Sequence, residues 1–310
     1  MSIPILFDCD PGHDDAIALL LALASPELEV MGVTTVAGNT TLSKTTTNAL
    51  KVLELVGRSD IPVAAGCDRP LIRELVVAEN VHGTSGLDGP MLPPPTGSTI
   101  HAHAVEFLAE RILGSDRPVT LVPVGPLTNI AVLLSRHPEV AANVSEIVLM
   151  GGAIGTGNVT PAAEFNIYVD PEAAYRVFHS GIPLTMIGLD ATHQALLNRG
   201  HAEVLRGRGV VGKFVAELLD FFIANHPRHY DARSGVPIHD ALAVAHLIWP
   251  DLLTTEHVAV TVDTESRLCR GRTVVDFWGV TSMEPNAWVG TKVDSEAFAR
   301  LLVDRLSSLS

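Results

Sequence analysis

The feature that most constrains the fold of this chain is a regular alternation of short apolar runs with helix-length segments. Ile3–Phe7, Leu28–Val36 and Pro118–Gly125 are rich in apolar and β-branched residues and have the length of buried strands. Helix-length segments, Asp14–Ala24 and Thr41–Val56, follow the first two of these runs. Strands that alternate with helices are joined by right-handed crossovers, and the product is a mostly parallel sheet with helices on both faces.

The same alternation extends along the chain, and neither an internal repeat nor a linker-like segment interrupts it. We therefore expect a single α/β domain over residues 1–310, built on an open, mostly parallel sheet with a Rossmann-like core. The exception is Arg69–Ser98, a long loop rich in Gly and Pro, which in a compact domain is either functional or disordered. Further strands are predicted at Ile61–Gly66, Glu146–Gly152, Ile182–Asp190, His257–Asp263 and Arg272–Gly279, and further helices at His101–Leu113, Leu127–Leu134, Pro171–His179, Gly212–Asn225 and Ile238–Ile248.

Composition excludes several classes of partner. The chain is 47% hydrophobic and 18% charged, which suits a large buried core, and its net charge is -14. That charge argues against binding to nucleic acid or to an anionic membrane surface. No apolar stretch approaches the ~20 residues of a membrane span. Three cysteines without CxxC spacing indicate reduced thiols, so we expect a cytoplasmic protein without a zinc site built on cysteine.

Four aspartates crowd the corner between the first strand and the first helix, in "FDCDPGHDDA". Asp8 and Asp10 end the strand, while Asp14 and Asp15 open the helix, where one acid alone would be an ordinary cap or first-turn residue. Two like charges 4 Å apart repel by about 4 kcal/mol at an effective dielectric constant of 20. The whole set therefore needs raised pKa values or a cation. Oxygen ligands without His or Cys indicate calcium or magnesium.

A second group of polar residues begins the helix in "GVPIHDALAVAHL". Asp240 either completes a metal site or is a helix N-terminal acid, and His239 either donates a proton near neutral pH or is a surface histidine. Val124 ends another strand, where its backbone carbonyl could face the same crevice. His82 lies in the long loop as a lid or surface residue, and the role of His13 is open.

A third group follows the strand that ends at Met150, in the polar loop "GNVTPAAEFNIYVDPEA". Asn158, Glu164 and Asn166 provide the donors and acceptors that would grip vicinal hydroxyls, although an ordinary polar loop has the same composition. Asn39 follows the second strand, where it is either a turn residue or a further contact at this edge of the sheet.

Together and in this order, the motifs "DCDPGHDDA", "VAGN", "VPVGPLTNIA", "VLMGG", "GNVTPAAEFNIYVDPEAA" and "HDA" resemble the nucleoside hydrolase family. They span residues 8 to 241, with one departure at Cys9, where many members have Thr. The resemblance implies the nucleoside hydrolase fold and hydrolysis of the N-glycosidic bond of a ribonucleoside to ribose and free base. The motifs look closest to the pyrimidine-preferring members, with purine tolerance left open. A homotetramer or homodimer is also implied.

The resemblance also implies roles for individual residues. A calcium ion would be held by Asp10, Asp15, Asp240 and the Val124 carbonyl. The sugar would be held by Asp14, Asn39, Asn158, Glu164 and Asn166, with Met150 beneath the ribose. For the mechanism, we hypothesise that Asp10 is the general base and that His239 is the acid for the leaving base, with His82 as an alternative or accessory acid. Further candidate substrate contacts are Phe165, His229 and Tyr230, and the last two could stack on or hydrogen-bond the base.

Two alternative functions remain compatible with the residues alone. An Asp-x-Asp pattern at a strand end is also typical of magnesium-dependent phosphatases and phosphotransferases, although the net charge of -14 disfavours a polyanionic substrate. A non-catalytic, calcium-dependent nucleoside or sugar binder would need the same polar groups without turnover.

Overall fold

The computed structural model describes residues 2–225 and 235–309, and in them a nine-stranded sheet organises the fold. Its order is β10-β9-β11-β6-β5-β4-β1-β2-β3, and β7 pairs with β8 in a separate two-stranded sheet. The strands are β1 (Ile3–Cys9), β2 (Leu28–Thr35), β3 (Val63–Ala65), β4 (Val119–Pro123), β5 (Val144–Met150), β6 (Leu184–Ile187), β7 (Leu196–Leu197), β8 (Val236–Pro237), β9 (Leu253–Val262), β10 (Thr273–Asp276) and β11 (Ala287–Val293).

Most of the large sheet is parallel. Strands β3, β2, β1, β4, β5, β6 and β11 pair in parallel, whereas β9 is antiparallel to β11 and β10 is antiparallel to β9. The parallel strands direct their carboxyl ends to one edge of the sheet, and β1 lies inside the parallel part, between β4 and β2. That edge is where open α/β sheets bind ligands.

Helices cover both faces of the sheet. Along β1, Ile5 and Phe7 point into one core while Leu6 points into the other, and all three are fully buried. A strand buried on both faces is the pattern of a sheet between two helical layers. The α-helices are α1 (His13–Leu23), α2 (Leu42–Leu55), α3 (Glu79–His82), α4 (Ala104–Leu113), α5 (Thr128–Arg136), α6 (Phe165–Val169), α7 (Pro171–Phe178), α8 (Leu189–Thr192), α9 (Arg199–Arg206), α10 (Gly209–Asn225), α11 (His239–Ile248) and α12 (Ser295–Leu306).

The predicted α/β class and the mostly parallel sheet are confirmed, and the differences lie in particular segments. The long loop predicted at Arg69–Ser98 contains the short helix α3, and the strand predicted at Ile182–Asp190 ends at Ile187 because the chain turns into α8. Strand β11 and helix α12 were not predicted. Among the described residues, no helix is long and apolar enough to cross a membrane.

Candidate active site

Five predicted site residues meet at one edge of the sheet, four of them at the ends of parallel strands or just after them. Asp10 follows β1, Asn39 follows β2 and Val124 follows β4, while Met150 is the last residue of β5. Asp240 reaches the same place from the first turn of α11. All five are buried, so this edge is a concentrated polar site inside an apolar surrounding.

The carboxylates of Asp14, Asp15 and Asp240 form the centre of the site. Each offers an oxygen, and these oxygens lie within 4.8 Å of one another. Asp15 also organises the corner of the chain, because its Oδ1 accepts a hydrogen bond from the backbone amide of Asp10 at 3.1 Å and its Oδ2 accepts one from Gly12 at 2.9 Å. Asn39 donates through Nδ2 to Asp15 Oδ2 at 3.0 Å. The first turn of α1 is therefore held in place by the same carboxylate that faces the cluster.

Asp10 is held beside this cluster with one oxygen unused. Its Oδ2 accepts a hydrogen bond from the backbone amide of Asn39 at 2.6 Å. Its Oδ1 is buried and has no hydrogen-bond donor among the described residues. A Cβ at Gly38 would lie 2.1 Å from Oδ2, and one at Gly125 would lie 2.4 Å from Oδ1. Both positions thus require glycine for the backbone to enclose this carboxylate.

Burial raises the pKa values of these acids. The pKa of Asp14 rises to about 8, first because the group is buried and then because the charge of Asp15 is close. For the same two reasons the pKa of Asp10 lies well above its usual value. The pKa of Asp240 is also well above normal, through burial and then the charges of Asp14 and Asp15. These shifts describe the chain without a cation, which is the condition under which such a cluster retains protons.

The donor set fits a hard divalent cation. Every candidate ligand in the cluster is a carboxylate oxygen, one further buried oxygen of Asp10 lacks a donor, and neither His nor Cys belongs to the group. The cluster contains two of the four predicted ligands, Asp15 and Asp240, together with Asp14, which was predicted to bind the sugar. The Val124 carbonyl accepts a hydrogen bond from Asn166 Nδ2 at 2.8 Å.

The predicted sugar-binding segment contains a helix rather than a continuous loop. Glu164 is the N-cap of α6, and its carboxylate accepts from the backbone amides of Asn166 at 3.0 Å and Ile167 at 3.2 Å. Asn166 lies inside this short helix and also donates to the Met150 carbonyl at 3.1 Å. The loop prediction was wrong here because a glutamate cap leaves little signal in the sequence.

The start of the same segment is also tied to α6. Asn158, which is exposed, accepts a hydrogen bond through Oδ1 from the backbone amide of Phe165 at 2.9 Å. Phe165 itself is half-buried. Burial raises the pKa of Glu164 to about 7, and the charge of Glu164 is one cause of the raised pKa of Asp14. The sugar-binding candidates and the acidic cluster are therefore electrostatically coupled.

His239 begins α11 directly beside Asp240 and is half-buried. Its Nδ1 lies 2.6 Å from Oγ1 of Thr192, a fully buried residue at the end of α8. This contact orients the imidazole ring. Nothing in the sequence pointed to Thr192 as a partner of His239, because the two residues become neighbours only when α8 packs against α11.

His82 is buried and belongs to a different cluster. Its Nδ1 lies 3.1 Å from Nδ1 of His13, and His13 Nε2 lies 2.8 Å from the Asp88 carbonyl. A carbonyl only accepts, so Nε2 of His13 is the donor. Burial lowers the pKa of His13 to about 4, so its ring is neutral at pH 7. The backbone amide of His13 donates to Nδ1 of His82 at 3.3 Å, so this nitrogen of His82 is an acceptor. Phe221 stacks on His13, with ring centroids 5.1 Å apart.

Two predicted base contacts cannot be placed, because His229 and Tyr230 lie outside the described residues. Of the remaining predicted residues, Asn39 is hydrogen-bonded to the acidic cluster, and Glu164 is coupled to it by charge. Asn166 connects Glu164 to the carbonyls of Val124 and Met150. Phe165, His239 and His82 instead contact Asn158, Thr192 and His13.

Comparison with known proteins finds a family model that matches nearly the whole chain. The model of the inosine-uridine preferring nucleoside hydrolase family matches residues 5–300. A pyrimidine-specific ribonucleoside hydrolase, RihA, from Citrobacter koseri is 52% identical over 308 residues, which cover 99% of each chain. RihA from Escherichia coli O157:H7 is 53% identical over 307 residues, again covering 99% of each chain.

A solved structure extends the comparison to the fold. The purine-preferring ribonucleoside hydrolase from Gardnerella vaginalis superposes with a TM-score of 0.93 at 34% sequence identity, covering 99% of this chain and 98% of its own. The match to the family model includes the strand ends and helix starts that carry the acidic cluster. This chain belongs to the inosine-uridine preferring nucleoside hydrolase family.

Proposed function

We propose that this protein hydrolyses the N-glycosidic bond of ribonucleosides, with a preference for the pyrimidine nucleosides uridine and cytidine, and that it depends on calcium. Family membership supports the reaction. The names of the relatives at 52 and 53% identity support the pyrimidine preference over the purine preference of the structural neighbour at 34%.

The observation that carries the proposal is the buried cluster of Asp14, Asp15 and Asp240 with the donorless oxygen of Asp10 beside it. The ion would be held by Asp10, Asp15, Asp240 and the Val124 carbonyl, and Asp14, as a member of the cluster, would contact the sugar beside the ion. Calcium accepts 6–8 oxygen ligands, which leaves positions for ligands other than protein. When bound, such a cation lowers the pKa of a bound water and holds neighbouring hydroxyls.

Residues of this chain would bind the ribose and stabilise its transition state. Cleavage of a glycosidic bond passes through a sugar with oxocarbenium character. The negative charges of Asp14 and Glu164 would stabilise that positive charge in a buried site, where electrostatic interactions are strong. Asn39, Asn158 and Asn166, with Phe165 and Met150, would position the ring.

Asp10 is the proposed general base. The amide of Asn39 fixes its Oδ2, and the glycines at 38 and 125 enclose its carboxylate. Oδ1 is the oxygen that lacks a donor, so it is the atom at which Asp10 would accept a proton from the attacking water.

His239 is the proposed general acid for the leaving base. Its ring is oriented by Thr192 at Nδ1, and it neighbours Asp240 in the chain. His82 is the alternative acid, but it belongs to the cluster with His13, whose backbone amide donates to its Nδ1, and not to the first turn of α11 beside Asp240. We assign His82 an accessory role in shaping the base pocket, together with His229 and Tyr230.

We further propose that the chain forms one catalytic domain and acts as a cytoplasmic homotetramer or homodimer. Exposed apolar side chains between β10 and β11 support self-association, since Trp278 is 90% exposed and Val280 is 80% exposed. Sedimentation velocity measures this directly, and a monomer at micromolar concentration would contradict it.

The function is tested by measuring ribose release from uridine, cytidine, adenosine and inosine, before and after removal of metal and after addition of calcium. We expect the highest kcat/KM with uridine or cytidine, loss of activity in metal-free protein and its recovery with calcium. Faster cleavage of purines would contradict the base preference. Tight uridine binding without any ribose release would indicate the non-catalytic binder instead.

A further inference from the structure

Residues 151–155 follow β5 at the edge of the sheet where the candidate site lies, and we call this segment the 151–155 crossing. All five of its backbone amides donate hydrogen bonds. Gly151 donates to the Ile187 carbonyl at 3.2 Å, and Gly152 donates to Oε2 of Glu164 at 3.0 Å. Ala153 donates to Oγ1 of Thr273 at 2.9 Å. The last two amides donate to the carboxylate of Asp190, with the first of these contacts, from Ile154, at 2.6 Å.

Thr273 forms hydrogen bonds with both backbone groups of Ala153. Its hydroxyl accepts from the Ala153 amide and also donates to the Ala153 carbonyl at 2.7 Å. Thr273 is 1% exposed and Ala153 is 3% exposed, so solvent is not at hand to replace the hydroxyl as partner of the Ala153 backbone. A buried backbone amide or carbonyl left without a partner is costly, and the segment would shift to recover one.

The 151–155 crossing is also tightly packed, so a shift of its backbone would displace neighbouring side chains. Gly152 has a φ of +77°, and a Cβ there would lie 2.8 Å from Thr273 Cγ2 and 3.0 Å from Met186 Sδ. Its carbonyl accepts from the amide of Leu189 at 2.9 Å. Thr273 therefore contacts the crossing through its hydroxyl at Ala153 and through its methyl group at Gly152.

Gly152 connects this contact to the sugar-binding residues. Its amide donates to Glu164, whose carboxylate also caps α6 and so fixes Asn166. We propose that Thr273, from the edge strand β10, is a positioning residue that holds the 151–155 crossing and thereby sets the place of the Glu164 carboxylate toward the ribose. The effect of Thr273 on ribose binding rests on the proposed function, whereas its role in holding residues 151–155 does not.

The test compares Thr273→Val, which is nearly isosteric and removes both hydrogen bonds, with Thr273→Ser, which keeps the hydroxyl. Thr120→Val is the matched control, since Thr120 is another buried sheet threonine whose Oγ1 contacts Ser145 Oγ at 2.9 Å in β4 and β5, away from the crossing. Hydrogen exchange of the 151–155 amides is the first readout. We expect exchange at least about tenfold faster in T273V, with little change in T273S or T120V.

Turnover of uridine and of its 2′-, 3′- and 5′-deoxy analogues is the second readout. We expect T273V to lower kcat/KM for uridine by about 10- to 100-fold and T273S to recover most of it. The variant Glu164→Gln identifies the ribose hydroxyl that Glu164 contacts. Its loss of kcat/KM relative to wild type should be smallest on the analogue that lacks that hydroxyl. T273V should lose least on that same analogue, whereas a purely structural loss would be equal on all four substrates.

Unchanged exchange of the crossing in T273V, or an equal loss of kcat/KM on all four substrates, would overturn the proposal. If wild-type protein cleaves no nucleoside, the proposed function fails and hydrogen exchange alone decides whether Thr273 holds the crossing. If T273V does not fold, Thr273→Cys replaces it, because a thiol is a weak hydrogen-bonding partner and the same exchange pattern is expected.

Discussion

Calcium binding to the metal-free protein at pH 7 should release at least about two protons per chain, two from the cluster of Asp14, Asp15 and Asp240 and any further proton held by the buried Asp10. The carboxylate oxygens of Asp14, Asp15 and Asp240 lie within 4.8 Å of one another. At that separation and an effective dielectric constant of 20, each ionised pair repels by about 3.5 kcal/mol, so three pairs cost about 10 kcal/mol. This is comparable with the whole stability of a typical domain, ~5–15 kcal/mol.

Protonation is how the metal-free protein avoids this cost. With two of the three groups protonated, no like-charge pair remains, and the pKa of Asp14, about 8, agrees with a retained proton at pH 7. A cation requires the ionised forms, so binding must displace these protons. Calcium affinity should therefore rise with pH up to about pH 8 and weaken below it.

Titration calorimetry in buffers of different ionisation enthalpy measures the number of protons released, from the slope of observed enthalpy against buffer enthalpy. Asp240→Asn should lower the release by about one proton as well as weaken binding. Asp251→Asn, at an exposed aspartate beyond the end of α11, should change neither. Tight binding with no proton release at pH 7 would refute the assignment of the raised pKa values to a single coupled cluster.

Three further predictions test the stability and the chemistry of the site. Because the folded-state pKa of Asp14 is raised from 3.8 to about 8, the favourable contribution of protonated Asp14 to the free energy of unfolding is complete below pH 4 and lost as the pH rises to 8. The Tm of metal-free protein should therefore fall over that range, and calcium should restore it. A Tm of metal-free protein that rises from pH 5 to 8 would contradict the shift. Asp10→Asn is nearly isosteric and should lower kcat for uridine by about 10²–10⁴-fold with calcium still bound, as checked by steady-state kinetics and metal content, and near-normal turnover would remove Asp10 as the base. His239→Ala should cause a similar loss on uridine but a much smaller one on a nitrophenyl riboside, whose leaving group needs no proton, and equal losses on both substrates would argue against an acid role.

The fold was largely predictable because its elements have strong local signals. Buried parallel strands appear as continuous apolar runs, and the first of them, Ile3–Phe7, matches β1 to within two residues. β11 was missed because Ala287–Val293 contains Gly290, Thr291 and Lys292 and lacks a continuous apolar run. Its place between β6 and β9 is set by tertiary pairing alone.

The acidic part of the site was predictable for a similar reason. Asp10 and Asp15 flank a strand-to-helix turn, so the topology alone brings them to the carboxyl edge of the sheet. Residues that act through contacts distant in sequence were not predictable. Thr192 reaches His239 across 47 positions, and Thr273 reaches Ala153 across 120. Neither threonine has a composition or spacing that separates it from an ordinary buried threonine.

A crystal structure of the protein grown with calcium, with anomalous data collected to identify the ion, tests the central claim most directly. We predict one calcium ion per chain, ~2.3–2.6 Å from carboxylate oxygens of Asp10, Asp15 and Asp240 and from the Val124 carbonyl. An anomalous map with no calcium among these oxygens, from crystals of protein that cleaves uridine under the same conditions, would contradict it.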